Sequence, residues 1–235
     1  MPDNRHHQSD HSPQLRSPAS GVDGLTVLVC LVILGVYFGA TVYRNRVWLS
    51  HISLWQDTVT KSPMKTRPRI NLARSYQEAE MYDDAIREYS DAATIAKLPH
   101  IDPVQGQITR QLAAMNMSQI MLKFGAIDEA EKVLVSVWNE EPGFPGIAIN
   151  LAIVYMNKGN PQFAKEVLDV GIENIPSYPW FQLQGRLYFN RGLVRQILGD
   201  CAGAEEDFAY ARTERRDADL PQVSPICDPT IEQTF

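Results

Sequence analysis

Residues 145–178, PGIAINLAIVYMNKGNPQFAKEVLDVGIENIPSY, contain two stretches of helical periodicity separated by Gly159. Glycine ends a helix readily because it adopts the left-handed conformation that other residues resist, and Pro176 cannot continue the second helix. Ala152, Ala164 and Gly171 supply small side chains where two antiparallel helices would touch. The stretch therefore predicts a helical hairpin of 34 residues.

The same pattern recurs on both sides of this hairpin. Aligning the small residues of the second helices, Ala85, Ala130, Ala164 and Ala204, gives four repeats at 66–99, 111–144, 145–178 and 185–218. Frame position 15, between the helices, holds Gly125, Gly159 and Gly199, but Glu80 in the first repeat; position 24 holds Tyr89, Leu134, Leu168 and Phe208. Two residues depart from the pattern: Ser118 at position 8 of the second repeat and Arg195 at the apolar position 11 of the fourth.

These residues resemble the tetratricopeptide repeat (TPR) family, which has small residues at positions 8, 20 and 27 and large apolar ones at 11 and 24. The resemblance implies an all-α solenoid in which each hairpin buries its open face on the next. Two insertions interrupt the frame, His100–Arg110 and Pro179–Gln184, and each would either lengthen a first helix or form a loop.

A lone helix precedes the first repeat. The stretch WLSHISLWQDTVTKS, residues 48–62, keeps the frame, because Trp55 takes position 24 and Pro63 takes position 32. We therefore predict a half-repeat over 47–65 that leads without a flexible linker into an array over 66–218. This junction also resembles multi-spanning membrane glycosyltransferase-like proteins with TPR tails, which implies repeats on the periplasmic or lumenal side.

Residues 24–43 form an apolar run of 20 positions without a charge. As a helix they would span roughly 30 Å, the thickness of the bilayer hydrocarbon. We predict a single-pass membrane anchor over 23–46 that contacts lipid through residues 24–43. A buried core helix and a cleaved signal peptide are alternatives, but Phe38–Thr41 match a cleavage site poorly. The count of nearby positive charges weakly favours a cytoplasmic array instead.

Both ends of the chain are rich in proline and lack periodicity. We predict disordered tails at 1–22 and 219–235. His6, His7 and His11 in the first tail are interpreted as bystanders rather than metal ligands. Cys201 and Cys227 could pair in an oxidising compartment, but their spacing alone does not decide whether they do.

The composition argues against several classes of function. A net charge of −6 is unlike that of a nucleic-acid-binding protein, which has a basic surface. The sequence has no nucleophile elbow, P-loop, HExxH or paired-cysteine motif, so we expect neither an enzyme nor a bound cofactor or metal. The acidic run Glu205–Asp207 is interpreted as a solvated helix face.

The first helices would line the concave surface of the array, and asparagine recurs there at position 6. Because asparagine carries donors and an acceptor, a row of them can bind the main chain of an extended peptide. The row is similar to the asparagine ladder of the O-linked N-acetylglucosamine transferase. The predicted peptide-binding groove comprises Asn71, Asn116, Asn150 and Asn190 with Arg67, Arg74, Gln77, Gln119 and Arg186.

Other residues give this groove its character. Lys123 and Gln196 add polar groups, and Ile149, Ile153 and Met156 make its middle apolar, which suits a peptide with acidic and apolar residues. The alternative is that the asparagines form hydrogen bonds between neighbouring repeats. If they do line the groove, replacing Asn116 and Asn150 should change stability little.

The sequence thus predicts a membrane-anchored scaffold that binds extended peptide segments of partner proteins in a membrane-associated complex. The alternative is an accessory subunit that presents acceptors to a membrane glycosyltransferase.

Overall fold

The computed structural model describes residues 23–178 and 184–213, in which all regular structure is helical. The chain divides into two compact units, with the boundary between Val47 and Trp48. The predicted tails at 1–22 and 219–235 lie outside the described residues, as do His6, His7, His11 and Cys227.

In the first unit, α1 runs over Gly24–Asn45. The Asp23 carboxylate caps it by accepting a hydrogen bond from the Thr26 backbone N–H at 2.9 Å. Every residue from Gly24 to Asn45 is exposed. The helix is long and apolar enough to cross a membrane, a property shared by single-pass anchors and signal sequences.

In the described part of the second unit, nine α-helices follow one another. They are α2 (His51–Lys61), α3 (Thr66–Glu78), α4 (Tyr82–Ile95), α5 (Pro103–Lys123), α6 (Ile127–Glu140), α7 (Pro145–Asn157), α8 (Pro161–Glu173), α9 (Gln184–Ile197) and α10 (Cys201–Thr213). Short 3₁₀ turns occur at Arg46–Trp48 and Ile175–Ser177.

From α3 onward the helices pair as antiparallel hairpins, and each hairpin packs on the next. The alanines that define the frame lie at the helix contacts, where Ala85, Ala130, Ala164 and Ala204 are at most 1% exposed. Gly192, at position 8 of the fourth repeat, also lies at a close contact between helices, because a Cβ there would be 2.6 Å from the Phe208 ring. The fold class predicted from the sequence is confirmed.

The turn at position 15 has a left-handed backbone in all four repeats. Gly125, Gly159 and Gly199 have φ angles of 72°, 71° and 82°. Glu80 adopts the same conformation with φ of 59°, although it has a side chain. The first hairpin therefore closes with the same geometry as the others, at a conformational cost that glycine avoids.

The insertion between repeats one and two mostly lengthens a helix. Asp102 caps α5 by accepting from the Gln105 backbone N–H at 2.9 Å, and the helix starts at Pro103 rather than at frame residue 111. Gly106 in this extension lies against the end of α4, since a Cβ there would be 2.5 Å from the Ala96 carbonyl oxygen.

Helix α2 covers the open face of the first hairpin. Its partly buried side chains Ile52, Trp55 and Val59 pack against the core of α3 and α4. Gln56 Nε2 donates a hydrogen bond to the Tyr76 hydroxyl at 2.7 Å. Helix α2 therefore buries part of the apolar surface of the first hairpin.

Candidate functional site

The first helices of the hairpins form a layer of their own. Helix α3 contacts α5, α5 contacts α7, and α7 contacts α9, so the inner surface is continuous from repeat to repeat. All residues of the predicted groove belong to these four helices.

Charge is divided between the two layers of helices, a feature that the repeat frame did not reveal. The first helices α3, α5, α7 and α9 carry eight basic residues and one acidic residue, Glu78. The second helices α4, α6, α8 and α10 carry fourteen acidic and four basic residues. An acidic protein thus presents a cationic inner layer.

Some of the inner cations pair with the outer layer. Arg69 contacts Glu88 at 2.7 Å, Arg110 contacts Glu140 at 2.9 Å, and Arg191 contacts Asp207 at 2.6 Å. The predicted groove contains a different set of cations. Arg67 and Arg74 are exposed, Arg186 is half-buried, and Lys123 is exposed beside the Tyr82 ring, with Nζ 4.5 Å from the ring centroid.

Asn150 is used inside the fold. It is only 3% exposed, and its Nδ2 donates to the Met115 carbonyl oxygen and to Ser118 Oγ, both at 2.9 Å. These are the hydrogen bonds between repeats that were the alternative to peptide binding. Asn150 therefore directs its amide donors to the neighbouring repeat and not to the groove, and we now predict that its loss lowers stability.

The other asparagines of position 6 differ from one another. Asn190 Nδ2 donates to the Arg186 carbonyl oxygen of its own helix at 2.7 Å. Asn116 is buried, and its Nδ2 has no hydrogen-bond partner. Asn71 is half-buried. The four asparagines therefore do not form the uniform row that the sequence predicted, because their amides lie in different environments.

The remaining groove residues also differ in their burial and contacts. Gln77 Oε1 accepts a hydrogen bond from the hydroxyl of the buried Tyr89 at 3.1 Å, so this amide supports the core. Gln119 is exposed on α5. Gln196 is buried, and the predicted apolar middle of Ile149, Ile153 and Met156 is half-buried.

The interpretation of Glu205–Asp207 as a solvated face is wrong for its last residue. Glu205 and Glu206 are exposed, but Asp207 is 2% exposed and binds Arg191 through both carboxylate oxygens, at 2.6 and 2.8 Å. Arg195, which departs from the frame, reaches the same carboxylate at 3.1 Å. The departure is therefore explained by a buried ion pair. No group of His, Cys, Asp and Glu residues in the described ranges could hold a metal ion.

Comparison with known proteins identifies the repeat type. The family model of the tetratricopeptide repeat matches residues 113–187, which include the hairpin α7–α8 and most of α5–α6. The fold is a TPR solenoid. No curated protein matches the chain.

Several solved structures are similar to this one. The APC/C hetero-tetramer Cut9–Hcn1 has 18% identity and a TM-score of 0.55, covering 68% of this chain and 29% of that chain. BtubC from P. vanneervenii has 16% identity and a TM-score of 0.54, covering 74% and 73%. MamA from Desulfovibrio magneticus RS-1 has 14% identity and a TM-score of 0.50, covering 72% and 86%. At these identities the similarity shows the fold alone, and the chain spans under a third of the Cut9–Hcn1 chain.

Proposed function

We propose that this protein is a membrane-anchored scaffold whose inner layer binds an extended acidic segment of a partner protein. The observation that carries the proposal is the charge of the predicted groove. Four of the eight basic residues on the first helices pair with carboxylates of the outer layer, and the other four belong to the groove, where the first helices carry one acidic residue, Glu78. These four are Arg67, Arg74, Lys123 and Arg186. A cationic concave surface on an acidic protein favours a ligand of negative charge.

Arg67 and Arg74 are the strongest candidates for ligand contacts. Both are exposed, and both lie on α3, where they would meet carboxylates of a bound segment. Arginine binds a carboxylate through two parallel hydrogen bonds, which gives direction as well as charge. Since these contacts would be solvent-accessible, salt should weaken them, because the screening length is about 8 Å at physiological ionic strength.

Main-chain recognition rests on fewer residues than the sequence predicted. Gln119 is exposed on α5, and the buried Asn116 retains an Nδ2 donor without a partner. The Asn116 side chain would have to turn outward to donate to a peptide carbonyl oxygen, which would also remove the free-energy cost of a buried donor without a partner. Ile149, Ile153 and Met156 on α7 would pack against apolar side chains of the same segment.

The membrane part of the proposal rests on α1. Its length, apolar composition and full exposure support a single-pass anchor, which would make a membrane-associated complex the natural setting of the partner. The resemblance of the junction to membrane proteins with TPR tails favours an array on the periplasmic or lumenal side. Protease that is confined to the non-cytoplasmic face of sealed vesicles should digest an array on the periplasmic or lumenal side, whereas protection would place the array in the cytoplasm.

The glycosyltransferase alternative has no support among the solved structures named above. It differs from the scaffold by requiring a separate catalytic subunit, so capture of a multi-spanning transferase by the full chain would favour it.

A peptide array tests the scaffold directly. Extended peptides of equal length and matched apolar content would be presented as acidic, neutral and basic series to the full chain in detergent. We expect the acidic series to bind at least tenfold more tightly than the neutral one, with a marked loss in high salt. Equal binding of the three series would overturn the proposal.

A further inference from the structure

Exposed apolar side chains concentrate at one edge of the array. The turns that join the first helix of each hairpin to its second helix all lie at this edge, because the hairpins pack side by side in the same orientation. We call it the turn edge. Its exposed large hydrophobic residues are Met81, Phe124, Phe163, Ile197 and Leu198.

The start of the array lies at the same edge. Helix α2 contacts α3 and is joined to it by a short connection, so the two run antiparallel and the N-terminus of α2 lies at the turn edge. The residues just before it, Trp48 and Leu49, are exposed. From Trp48 onward, the described residues include ten exposed large hydrophobic side chains, and seven of them lie at the turn edge. Of the other three, Met64 and Val104 lie at the opposite edge, and Tyr210 lies on α10.

The aromatic rings at this edge are fixed by contacts within the array. Tyr82 and Phe124 meet edge-on with ring centroids 5.1 Å apart, which joins the turns of repeats one and two. Tyr155 and Phe163 pack with centroids 5.8 Å apart in repeat three. The exposed rings therefore form a fixed surface whose outer sides are left uncovered by residues 23–178 and 184–213.

The chain itself indicates what covers this surface. Trp48 follows the last residue of α1, Asn45, by three positions. The candidate membrane span runs from Gly24 to Trp48, so Trp48 is the last residue of the span and Leu49 follows it directly. Tryptophan favours the boundary between hydrocarbon and headgroups, and phenylalanine is found on the apolar side of protein surfaces that bind at that boundary.

We infer that the turn edge contacts the headgroup region of a lipid bilayer, with Phe124 and Phe163 inserted at its boundary. The inference rests on membrane insertion of α1, which belongs to the proposed function, but not on peptide binding. Acidic residues outnumber basic ones at this edge: Asp83, Asp84, Asp128 and Glu129 lie in the first turns of α4 and α6, against Lys123 and Lys158 at the ends of α5 and α7, and Lys158 pairs with Asp128. Acidic residues repel anionic headgroups, so the partner is a bilayer surface of low net charge.

Photo-crosslinking of the full chain tests the contact. A benzophenone amino acid, p-benzoylphenylalanine, would replace Phe124 or Phe163 in protein reconstituted into phosphatidylcholine vesicles. Val104 is the matched control, because it is 62% exposed, as Phe124 is, but lies at the opposite edge. Phe38 in α1 serves as the reference for membrane insertion. The aromatic replacement is conservative at 38, 124 and 163, and the site at 104 is exposed, so folding should be preserved.

We expect lipid adducts at 124 and 163 to exceed those at 104 at least fivefold, and added phosphatidylglycerol to reduce them. Equal yields at the three positions, or adducts of twice the protein mass in place of lipid adducts, would contradict the inference. Lipid adducts at 38 without any at 124 would reject the edge contact while leaving the membrane anchor intact. Absence of adducts at 38 as well would instead reject the anchor.

Discussion

Asn150 Nδ2 lies 2.9 Å from Ser118 Oγ, in a hydrogen bond that joins the first helices of two neighbouring repeats. Both side chains are buried, and Asn150 also donates to the Met115 carbonyl oxygen. The contact explains why serine replaces the usual small apolar residue at position 8 of the second repeat. It also shows that an asparagine of the predicted groove stabilises the solenoid.

Replacing Asn150 with alanine should destabilise the array by about 1–3 kcal/mol, because the Ser118 hydroxyl and the Met115 carbonyl lose a buried donor. Urea unfolding of the full chain in detergent, followed by circular dichroism, measures the change. Asn71→Ala is the matched control, since Asn71 occupies the same frame position but is half-buried. An equal, small effect of both replacements would contradict the assignment.

Glycine at position 80 should stabilise the protein. Glu80 has a left-handed backbone with φ of 59°, which costs an L-residue about 1–2 kcal/mol, whereas the entropy that glycine loses on folding offsets part of the gain. We expect Glu80→Gly to raise the unfolding free energy by about 0.5–1 kcal/mol. The converse replacement, Gly159→Ala, should lower it by about 1 kcal/mol, and thermal melting compares the two. A Glu80→Gly protein that melts below the parent would refute the strain.

Loss of the Asp207 charge should be among the most damaging single changes. The Asp207→Asn replacement removes the carboxylate that Arg191 and Arg195 share, leaving Arg191 with Asp169 and Arg195 with Asp200, and the loss of these charged hydrogen bonds costs about 1.5–3 kcal/mol. Glu206→Gln removes the same charge from the neighbouring exposed residue and should be nearly neutral. The midpoints of urea unfolding distinguish them; similar midpoints would show that Asp207 is not a structural partner.

Alkaline pH should weaken the first hairpin through Tyr89. Burial raises the pKa of Tyr89 from 10.0 to about 12, so the folded state holds this proton more tightly than the unfolded state. The stabilisation is complete below the ordinary pKa of tyrosine and is lost as pH rises towards 12. The unfolding free energy, measured between about pH 10 and pH 12, should fall less steeply for the Tyr89→Phe protein than for the parent protein. Parallel curves for the two proteins would contradict this.

The fold follows from local signals that need no knowledge of partners. The alanines of the second helices, the turn glycines and Pro145 give the repeat frame, and α7 begins at the residue that the frame predicts. The extension of α5 was undecided because Asp102 and Pro103 are compatible with a loop as well as with a helix start.

The site was predicted less accurately because its details depend on pairs of residues from different helices. Position 6 borders both the groove and the neighbouring repeat, and only the location of Ser118 decides where Asn150 points. The roles of Gln77 and Asp207 likewise follow from their hydrogen bonds to Tyr89 and Arg191. These partners lie 12 and 16 residues away in the sequence. The division of charge was present in the sequence, but it becomes visible only after each helix is assigned to a layer.

The most direct test of the central claim is the affinity of one acidic peptide for two charge-reversed proteins. The first protein carries Arg67→Glu and Arg74→Glu, which reverse the charge of the exposed arginines of the inner layer. The second carries Lys132→Glu, which reverses an exposed charge on the outer helix α6. Fluorescence anisotropy on the full chain in detergent should show at least tenfold weaker binding for the first protein and less than a twofold change for the second. Equal binding by both proteins would contradict the account.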